Sequence, residues 1–301
     1  MQSGQGRWCA AGIDRAGACA AATPTYLCTA MQGGTSSETG ITARQGLRSA
    51  VHPVLEETEH RPWPLPSKPW IGRQTWHDLL FAHWPVPAAA LRRYVPPELT
   101  IQEKDGTSWV GLACFRLSDV SVRGLPELPA VGRFLELNVR LYVEKHGKPG
   151  VWFLSLDASS TLAVLTARTL LNLPYVRARM SMAPHEEGIR FESERRRGGG
   201  RFCADYLPVR APRQARPGTL EHFLTERYCL YTRVLGTLAR VEIHHRPWPL
   251  QDALGRVDAA ELLFADGLRT GEAPPLLHFA RRVDALVWAP QMVTTARPPA
   301  R

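Results

Sequence analysis

The segment from Phe134 to Val143 constrains the fold more than any other part of this 301-residue chain. Its sequence, FLELNVRLYV, alternates between apolar and polar side chains, which is the period of a β-strand with one buried face. A turn-forming stretch follows at residues 144–150, and the apolar segment Val151–Leu156 comes after it. Together these features predict a β-hairpin over residues 134–156.

Other strand-like segments recur along most of the chain. They are predicted at residues 76–84, 108–117, 176–182, 189–194, 202–207, 229–234, 237–244, 276–280 and 283–288. Helical patterns are fewer and are predicted at residues 86–94, 162–172 and 218–228. Many short strands with two or three helices favour an α+β fold that is mostly antiparallel β and barrel-like.

The first part of the chain has a different composition. Residues 1–66 are rich in Ala, Gly, Ser and Thr without a sustained helix or strand period, so we predict a disordered extension there. We predict one folded domain over residues 67–292 and a flexible tail over residues 293–301. Met31 is a second candidate for the start of translation, a hypothesis that the mass of the native N-terminal peptide tests.

The charge of the chain is positive but scattered. The formal net charge is +9, and all of it lies in residues 68–301, because five arginines and five acids balance in residues 1–67. The one dense run, Arg195–Arg197 with Arg201, surrounds three glycines and is interpreted as a solvated turn. No nucleic-acid-binding motif accompanies this charge, so no nucleic-acid partner is expected.

Location and cofactors are judged from patterns that the sequence lacks. No apolar run reaches the length of a membrane-spanning helix, and no secretory signal is recognisable, so we expect a cytoplasmic protein without a membrane partner. The six cysteines form no CxxC pair and the histidines have no zinc-finger spacing. We therefore expect neither a metal nor a cofactor.

Candidate functional residues begin with the predicted strand at residues 134–143. Glu136, Asn138 and Arg140 share its polar face. This face is either the solvated side of a sheet or a polar interior. In the second case Arg140 would bind a carboxylate, Asn138 would line the site, and Glu136 would act as an acid or base.

Four further residues complete the set. Tyr175 and Arg177 alternate with apolar neighbours, so Tyr175 either donates a hydrogen bond to a substrate or is a buried aromatic with a satisfied hydroxyl. Asp157 is a ligand-binding candidate that we expect to pair with an arginine such as Arg140. Among the histidines, His83 is the one that we predict to bind the ligand. The adjacent His244 and His245 point to opposite faces of a strand, which disfavours one shared metal.

Several phrases occur in the order in which they are found in the YqjF-like family, also called domain of unknown function 2071. They cover roughly residues 68–290, and the chain resembles this family of uncharacterised bacterial proteins on that basis. The phrases are Leu80–Trp84, Phe134–Arg140, Gly150–Ala158, Leu173–Tyr175, Glu226–Tyr231 and His245–Leu250.

The family is similar in fold to acetoacetate decarboxylase, which implies a β barrel or cone with a few outer helices. The decarboxylase forms a Schiff base on a lysine beside a second lysine. Those two positions fall on Tyr175 and Val176, which cannot form an imine. The strand glutamate of the decarboxylase matches Glu136, which implies that this carboxyl faces the cavity.

The resemblance implies a protein that binds a small carbonyl or carboxylate compound. If it is an enzyme, we expect lyase-like or hydrolase-like acid–base chemistry by Glu136 and Tyr175, without a Schiff base. The alternatives are a ligand-binding or sensor protein without catalysis and an oligomeric scaffold, because members of the superfamily often form homo-oligomers.

Overall fold

A computed structural model describes residues 52–124, 132–161, 172–271 and 273–293. Within these ranges thirteen strands form one sheet. Their bounds are β1 Gly72–Val86, β2 Thr100–Ile101, β3 Ser108–Val122, β4 Phe134–Lys145, β5 Lys148–Ala158, β6 Tyr175–His185, β7 Gly188–Arg195, β8 Arg201–Arg213, β9 Cys229–Val234, β10 Thr237–His245, β11 Leu250–Asp258, β12 Leu276–Val287 and β13 Gln291–Met292.

The strand pairings close on themselves. The order is β13-β10-β9-β5-β6-β7-β8-β11-β12-β1-β3-β4-β2, and two further pairings join β4 to β5 and β10 to β12. The result is a ring of strands. Most pairs are antiparallel, but β5 runs parallel to both β6 and β9, so the sheet is mixed.

The helices of the described part are short. They are α1 (Ala88–Leu91), α2 (Leu220–Thr225) and α3 (Ala260–Ala265), with 3₁₀ turns at Pro53–Glu56 and Arg92–Tyr94. In α2 the Thr219 side chain accepts a hydrogen bond from the backbone N–H of His222, which caps the helix start. No helix among the described residues is long and apolar enough to cross a membrane.

The mostly β architecture with few helices is confirmed, and so is the hairpin, which β4 and β5 form. The two strands predicted at residues 276–280 and 283–288 are one strand, β12. Neither β11 nor α3 was predicted. Of the helix predicted over residues 162–172, all but the last residue lies outside the described residues.

The two faces of β4 pack against different side chains. Leu137, Val139 and Leu141 belong to the larger apolar cluster, which also contains Leu80 and Leu112 of β1 and β3. The opposite face carries Glu136, Asn138, Arg140 and Tyr142, all of them buried, and Arg140 and Tyr142 contact the Leu224 carbonyl of α2. We call this second side the polar face of β4.

Residues 52–66 are part of the described fold, although their composition predicted that they belong to the disordered extension. Arg61 Nη2 lies 3.1 Å from Glu242 Oε2, and Trp63 Nε1 donates to the same oxygen at 2.7 Å. Arg61 Nη1 also donates to the Ile243 carbonyl at 2.6 Å. The domain therefore includes chain that precedes residue 67, while residues 1–51 lie outside the described residues and their disorder stays a prediction.

A chain that starts at Lys68 should be less stable than one that starts at His52. The shorter chain loses the buried Trp63 and leaves the Glu242 carboxylate without two of its donors. We expect a loss of about 3 kcal/mol or more, the scale of removing a large core side chain, and a fall in Tm of roughly 6–12 °C. Thermal unfolding of the two chains measures the difference in Tm. Equal Tm values would show that residues 52–67 do not stabilise the fold.

Candidate functional site

A buried hydrogen bond joins the carboxyl of Glu136 to the hydroxyl of Tyr175. The Tyr175 hydroxyl donates to Glu136 Oε2 at 2.8 Å, and Asn138 Nδ2 lies 3.4 Å from Oε1. Both side chains are buried, with 6% of Glu136 and 9% of Tyr175 exposed. Two residues separated by 39 positions in sequence thus form one donor–acceptor pair.

The register of three strands brings this pair together. Glu136 lies opposite Ala158 in the hairpin, and β5 then pairs in parallel with β6, where Leu156 faces Tyr175. Because directly paired residues project to the same side of a sheet, Glu136 and Tyr175 share a face across the small side chain of Ala158. The long Tyr175 side chain reaches diagonally to the carboxyl.

Burial changes the acidity of both groups. Desolvation raises the pKa of Glu136 to about 7, and the hydrogen bonds from Tyr175 and Asn138 oppose this rise only in part. Burial and then the nearby carboxylate raise the pKa of Tyr175 well above its usual value. At neutral pH the Glu136 carboxyl is therefore divided between its protonated and ionised forms, whereas the Tyr175 hydroxyl keeps its proton.

Arg140 shares the face of Glu136, as predicted, but its guanidinium extends toward β1 and α2. Its Cζ lies 4.9 Å from the centroid of the Phe81 ring, and Nη2 lies 3.4 Å from the Leu224 carbonyl oxygen. Its Nε is buried without a hydrogen-bond partner, as is Asn138 Oδ1. Buried polar atoms are nearly always paired in native proteins, so these two atoms are candidates for binding a water molecule or a ligand.

His83 lies on the same side, because His83 pairs with Gly111 and Gly111 with Arg140. It is fully buried, and neither ring nitrogen has a hydrogen-bond partner. Its ring lies 6.3 Å from that of His278 on β12, whose Nδ1 is also unpartnered. Burial, and then the charge of Arg140, hold the pKa of His83 well below its usual value, so this imidazole is neutral.

Arg177 is half-buried at the edge of the polar face. It pairs with Ala158, which pairs with Glu136, so two strand spacings separate Arg177 from Glu136. The Arg177 Nε is buried without a partner. The structure therefore places Glu136, Asn138, Arg140, Tyr175, Arg177 and His83 on one side of the sheet.

Close packing at Gly111 fixes the position of Arg140. A Cβ at this glycine would lie 2.6 Å from the Tyr142 hydroxyl and 3.2 Å from Arg140 Nε. Gly111→Ala should therefore displace both side chains and destabilise the protein by about 1–3 kcal/mol, as overpacking does. Denaturant unfolding measures this effect. Gly72→Ala is the matched control, since its nearest atom would be Ser121 O at 3.5 Å, and equal losses in both variants would contradict the packing argument.

Asp157 pairs with an arginine, as predicted, but this arginine is Arg195 and not Arg140, because Asp157 lies on the other side of the sheet. It lies opposite Leu137 in the hairpin and so shares the apolar face. There its two oxygens lie 2.9 and 3.0 Å from Arg195 Nε, and Arg195 Nη1 lies 2.6 Å from Asp266 Oδ1. The alternation of β4 alone could not predict this, because the hairpin register decides which face Asp157 joins.

The interpretation of the arginine run as a solvated turn is wrong for Arg195. Only 6% of its side chain is exposed, whereas the neighbouring Arg196 and Arg197 are exposed. Burial raises the pKa of Asp157 to about 6, although the charge of Arg195 opposes the rise. Ser155 completes the cluster, donating to Asp266 Oδ2 at 2.6 Å.

One group among the described residues offers three ligand atoms to a metal. Glu221, Asp252 and His278 place these atoms within 4.8 Å of one another. Arg213 Nη2 already lies 2.6 Å from the Glu221 carboxylate and 2.7 Å from that of Asp252, so a metal ion would compete with this guanidinium.

The neighbouring histidines of β10 serve the packing of residues 52–66. His244 Nε2 bonds the Val54 carbonyl at 2.8 Å, and His60 Nε2 bonds the His245 carbonyl at the same distance. Burial lowers the pKa of both His244 and His245 to about 4.

An open groove with a volume of about 630 Å³ lies elsewhere, beside the first 3₁₀ turn. Its lining contains none of the residues of the polar face, and its charges balance. It carries Arg73, Arg246, Arg282, Glu57, Asp119 and Asp284. Thr75 and Arg282, which also line it, both bond Asp284. We therefore place the candidate site at the polar face of β4, where buried polar atoms lack partners.

The fold belongs to the acetoacetate decarboxylase-like class. Acetoacetate decarboxylase from Legionella pneumophila superposes with a TM-score of 0.54 at 14% identity, covering 81% of this chain and 97% of that one. The enduracididine biosynthesis enzyme MppR, with HEPES buffer bound, superposes with a TM-score of 0.57 at 15% identity, covering 76% of this chain and 90% of that one.

The sequence places the chain more narrowly. The profile of DUF2071, described as an uncharacterized conserved protein, matches residues 73–284. YqjF of Bacillus subtilis is 41% identical over 236 residues, which are 78% of this chain and 98% of that protein. The chain belongs to the DUF2071 family, as its resemblance predicted.

Three residues at the polar face were not among the predicted site residues: Tyr142, Arg227 and His278. Tyr142 continues the alternation of Glu136 and Arg140, so the pattern of β4 contained this signal. Arg227 lies in the family phrase Glu226–Tyr231, which was used only for the resemblance. Nothing in the sequence around His278 distinguishes it from an ordinary strand histidine.

Proposed function

We propose that this protein binds a small organic compound with a carbonyl or carboxylate group at the polar face of β4. In this proposal Glu136 exchanges a proton with the bound compound, and the Tyr175 hydroxyl orients the carboxyl or the compound's oxygen. The observation that carries the proposal is the buried Glu136–Tyr175 hydrogen bond of 2.8 Å.

Acid–base chemistry needs a group whose pKa lies near the working pH, because such a group both accepts and releases a proton. A glutamate with a pKa of about 7 meets this condition. Asn138 Oδ1 and Arg140 Nε supply polar atoms without partners on the same face, and a bound compound would satisfy them. Fold alone never fixes function, so these atoms carry the argument.

The structural neighbours support the class of ligand. Solved structures with this fold include acetoacetate decarboxylases and MppR in complex with pyruvate, which is a small oxo acid. In this chain Tyr175 occupies the position that the resemblance assigns to the Schiff-base lysine. We therefore propose lyase-like or hydrolase-like chemistry that proceeds by proton transfer without an imine.

One observation favours a second function, a ligand-binding or sensor protein without catalysis. The lysines lie away from the pair: Lys148 contacts Glu242, and Lys104 contacts Asp105. A fold that keeps its site and lacks the nucleophile could serve binding alone. Binding of a compound without any turnover would favour this second function.

A thermal-shift screen of the full chain tests the proposal. Small oxo acids, hydroxy acids and aldehydes are added to the wild type, Glu136→Gln, Tyr175→Phe and the control Glu194→Gln, whose side chain is exposed. A ligand that binds the native state raises Tm by mass action. We expect at least one compound to raise the Tm of the wild type and of the control, and both proteins to turn it over. In Glu136→Gln the rate of turnover should be lower by about 100-fold or more. Equal binding and equal turnover in all four proteins would contradict the proposal.

We also propose that the protein works in the cytoplasm and forms a homo-oligomer. No disulfide joins the three cysteines of the described residues, Cys114, Cys203 and Cys229, which suits a reducing compartment. Sedimentation of the full chain measures the mass of the particle, and a monomer at all concentrations would contradict the oligomer.

A further inference from the structure

Two buried arginines lie against the ring of Tyr142. The Cζ atoms of Arg140 and Arg227 lie 5.8 and 5.1 Å from its centroid. Each arginine is only 8% exposed, and Tyr142 is 1% exposed. Two guanidinium groups are therefore withdrawn from water beside the same aromatic side chain.

Neither guanidinium forms an ion pair with a carboxylate among the described residues. An amide lies between Arg227 and Glu144: Arg227 Nη1 donates to Gln102 Oε1 at 2.6 Å, and Gln102 donates to Glu144 at 2.8 Å. Burying a charge without a counter-ion is costly, so buried charges in proteins are normally paired. At Arg227 burial is the main cause of a pKa lowered to about 10; the charge of Arg140 contributes to this shift, and Tyr142 opposes it.

The end of α2 supplies only part of what these groups need. Arg227 Nε donates to the Phe223 carbonyl at 2.8 Å, and Arg140 Nη2 lies 3.4 Å from the Leu224 carbonyl oxygen. Cations are favoured at the carbonyl end of a helix, so these contacts offset some of the burial. Two donors nevertheless stay buried without a partner, Arg140 Nε and Arg227 Nη2.

We infer that Arg140 and Arg227 together bind the carboxylate of an organic acid at the Tyr142 end of the polar face. The two unpartnered donors belong to guanidinium groups beside the same Tyr142 ring, and a carboxylate has two oxygens to accept from them, whereas a phosphate has more oxygens than these two donors can bind. His83, whose ring centroid lies 6.1 Å from that of Tyr142, borders the site as a neutral imidazole and adds no charge. This inference rests on the proposed function, in which Glu136 and Tyr175 contact the other end of the ligand. It narrows the class of ligand to carboxylic acids.

Thermal unfolding of the full chain in sodium acetate tests this site, with sodium chloride and sodium phosphate at equal ionic strength as the other arms. The proteins are the wild type, Arg140→Met, Arg227→Met and the control Arg179→Met, whose side chain is exposed. We expect acetate to raise the Tm of the wild type and the control by at least about 2 °C more than chloride does, and to leave both buried-arginine variants unshifted.

The variants also separate binding from a structural role. If the two arginines bind an anion, replacing either with Met removes a buried charge that has no counter-ion in the unbound protein. The Tm in chloride should then stay level or rise. A clear fall in Tm for both variants, with no acetate shift in the wild type, would show that they serve only to hold α2 and would overturn the inference. A phosphate shift larger than the acetate shift would overturn the assignment to a carboxylate.

Glu136→Gln distinguishes this inference from the proposed function. It leaves Arg140 and Arg227 in place, so its acetate shift should equal that of the wild type even where turnover is lost. If Glu136→Gln keeps the acetate shift and turnover is unchanged, the proposed chemistry fails while the carboxylate site stands. Loss of the acetate shift in Glu136→Gln would contradict the placement of the site at the two arginines.

Discussion

Glu136→Gln should be more stable than the wild type at pH 8, and the advantage should shrink as the pH falls to 5. The folded protein holds the proton of Glu136 up to a pKa of about 7, against 4.5 for the exposed group. The stability that the folded protein gains by binding this proton is therefore fully present below pH 4.5 and is lost as the pH rises through 7. The free energy of unfolding of the wild type, relative to that of Glu136→Gln, should therefore fall by roughly 2–3 kcal/mol between pH 5 and pH 8.

Urea unfolding of both proteins at the two pH values measures this difference. Other titrating groups, Asp157 among them, are present in both proteins and cancel in the comparison. Glu194→Gln is the control, because an exposed carboxyl should change stability little and equally at both pH values. An advantage of the same size at pH 5 and pH 8 would mean that Glu136 titrates normally.

Arg195→Met should be among the most destabilising single substitutions in the chain. It leaves the carboxylates of Asp157 and Asp266, 1% and 8% exposed, without the cation that holds them. Breaking a buried ion pair by removing one partner costs about 3–5 kcal/mol. Because the raised pKa of Asp157 lets it bind a proton as the pH falls, the loss should be smaller at pH 5 than at pH 8.

Denaturant unfolding measures the loss of stability in Arg195→Met, and Arg196→Met is the matched control. The two arginines are neighbours, but Arg196 is exposed, so its replacement should cost less than about 0.5 kcal/mol. Adding Asp157→Asn and Asp266→Asn to Arg195→Met should restore much of the loss, since no buried charge then stays unpaired. Equal effects of the two arginine substitutions would contradict the ion-pair account.

The sequence predicted the elements well where local pattern decides them. The alternation of residues 134–143 predicted β4, and the resemblance predicted that Glu136 faces the interior. The pairing of β5 with β6 and β9 was beyond sequence reasoning, because parallel neighbours are set by the path of the whole chain.

The candidate site was predicted in part for the same reason. Glu136, Asn138 and Arg140 lie on one strand, so their period placed them together. Asp157 was a candidate for the same site, but a register shift of β5 opposite Val139 and Arg140, which no alternation rule anticipates, places it on the other face. Arg227 and His278 come from strands and turns far away in sequence, so only the tertiary structure brings them to the polar face.

A titration of Glu136 itself shows whether this carboxyl binds and releases a proton near neutral pH. Infrared difference spectra between the wild type and Glu136→Gln isolate the carboxyl band of this one residue as the pH is changed. We expect half-protonation near pH 7, and a still higher value in Tyr175→Phe, because the hydrogen bond from Tyr175 lowers the pKa. A Glu136 carboxyl that is half-protonated near pH 4.5 or below in the wild type would contradict the account.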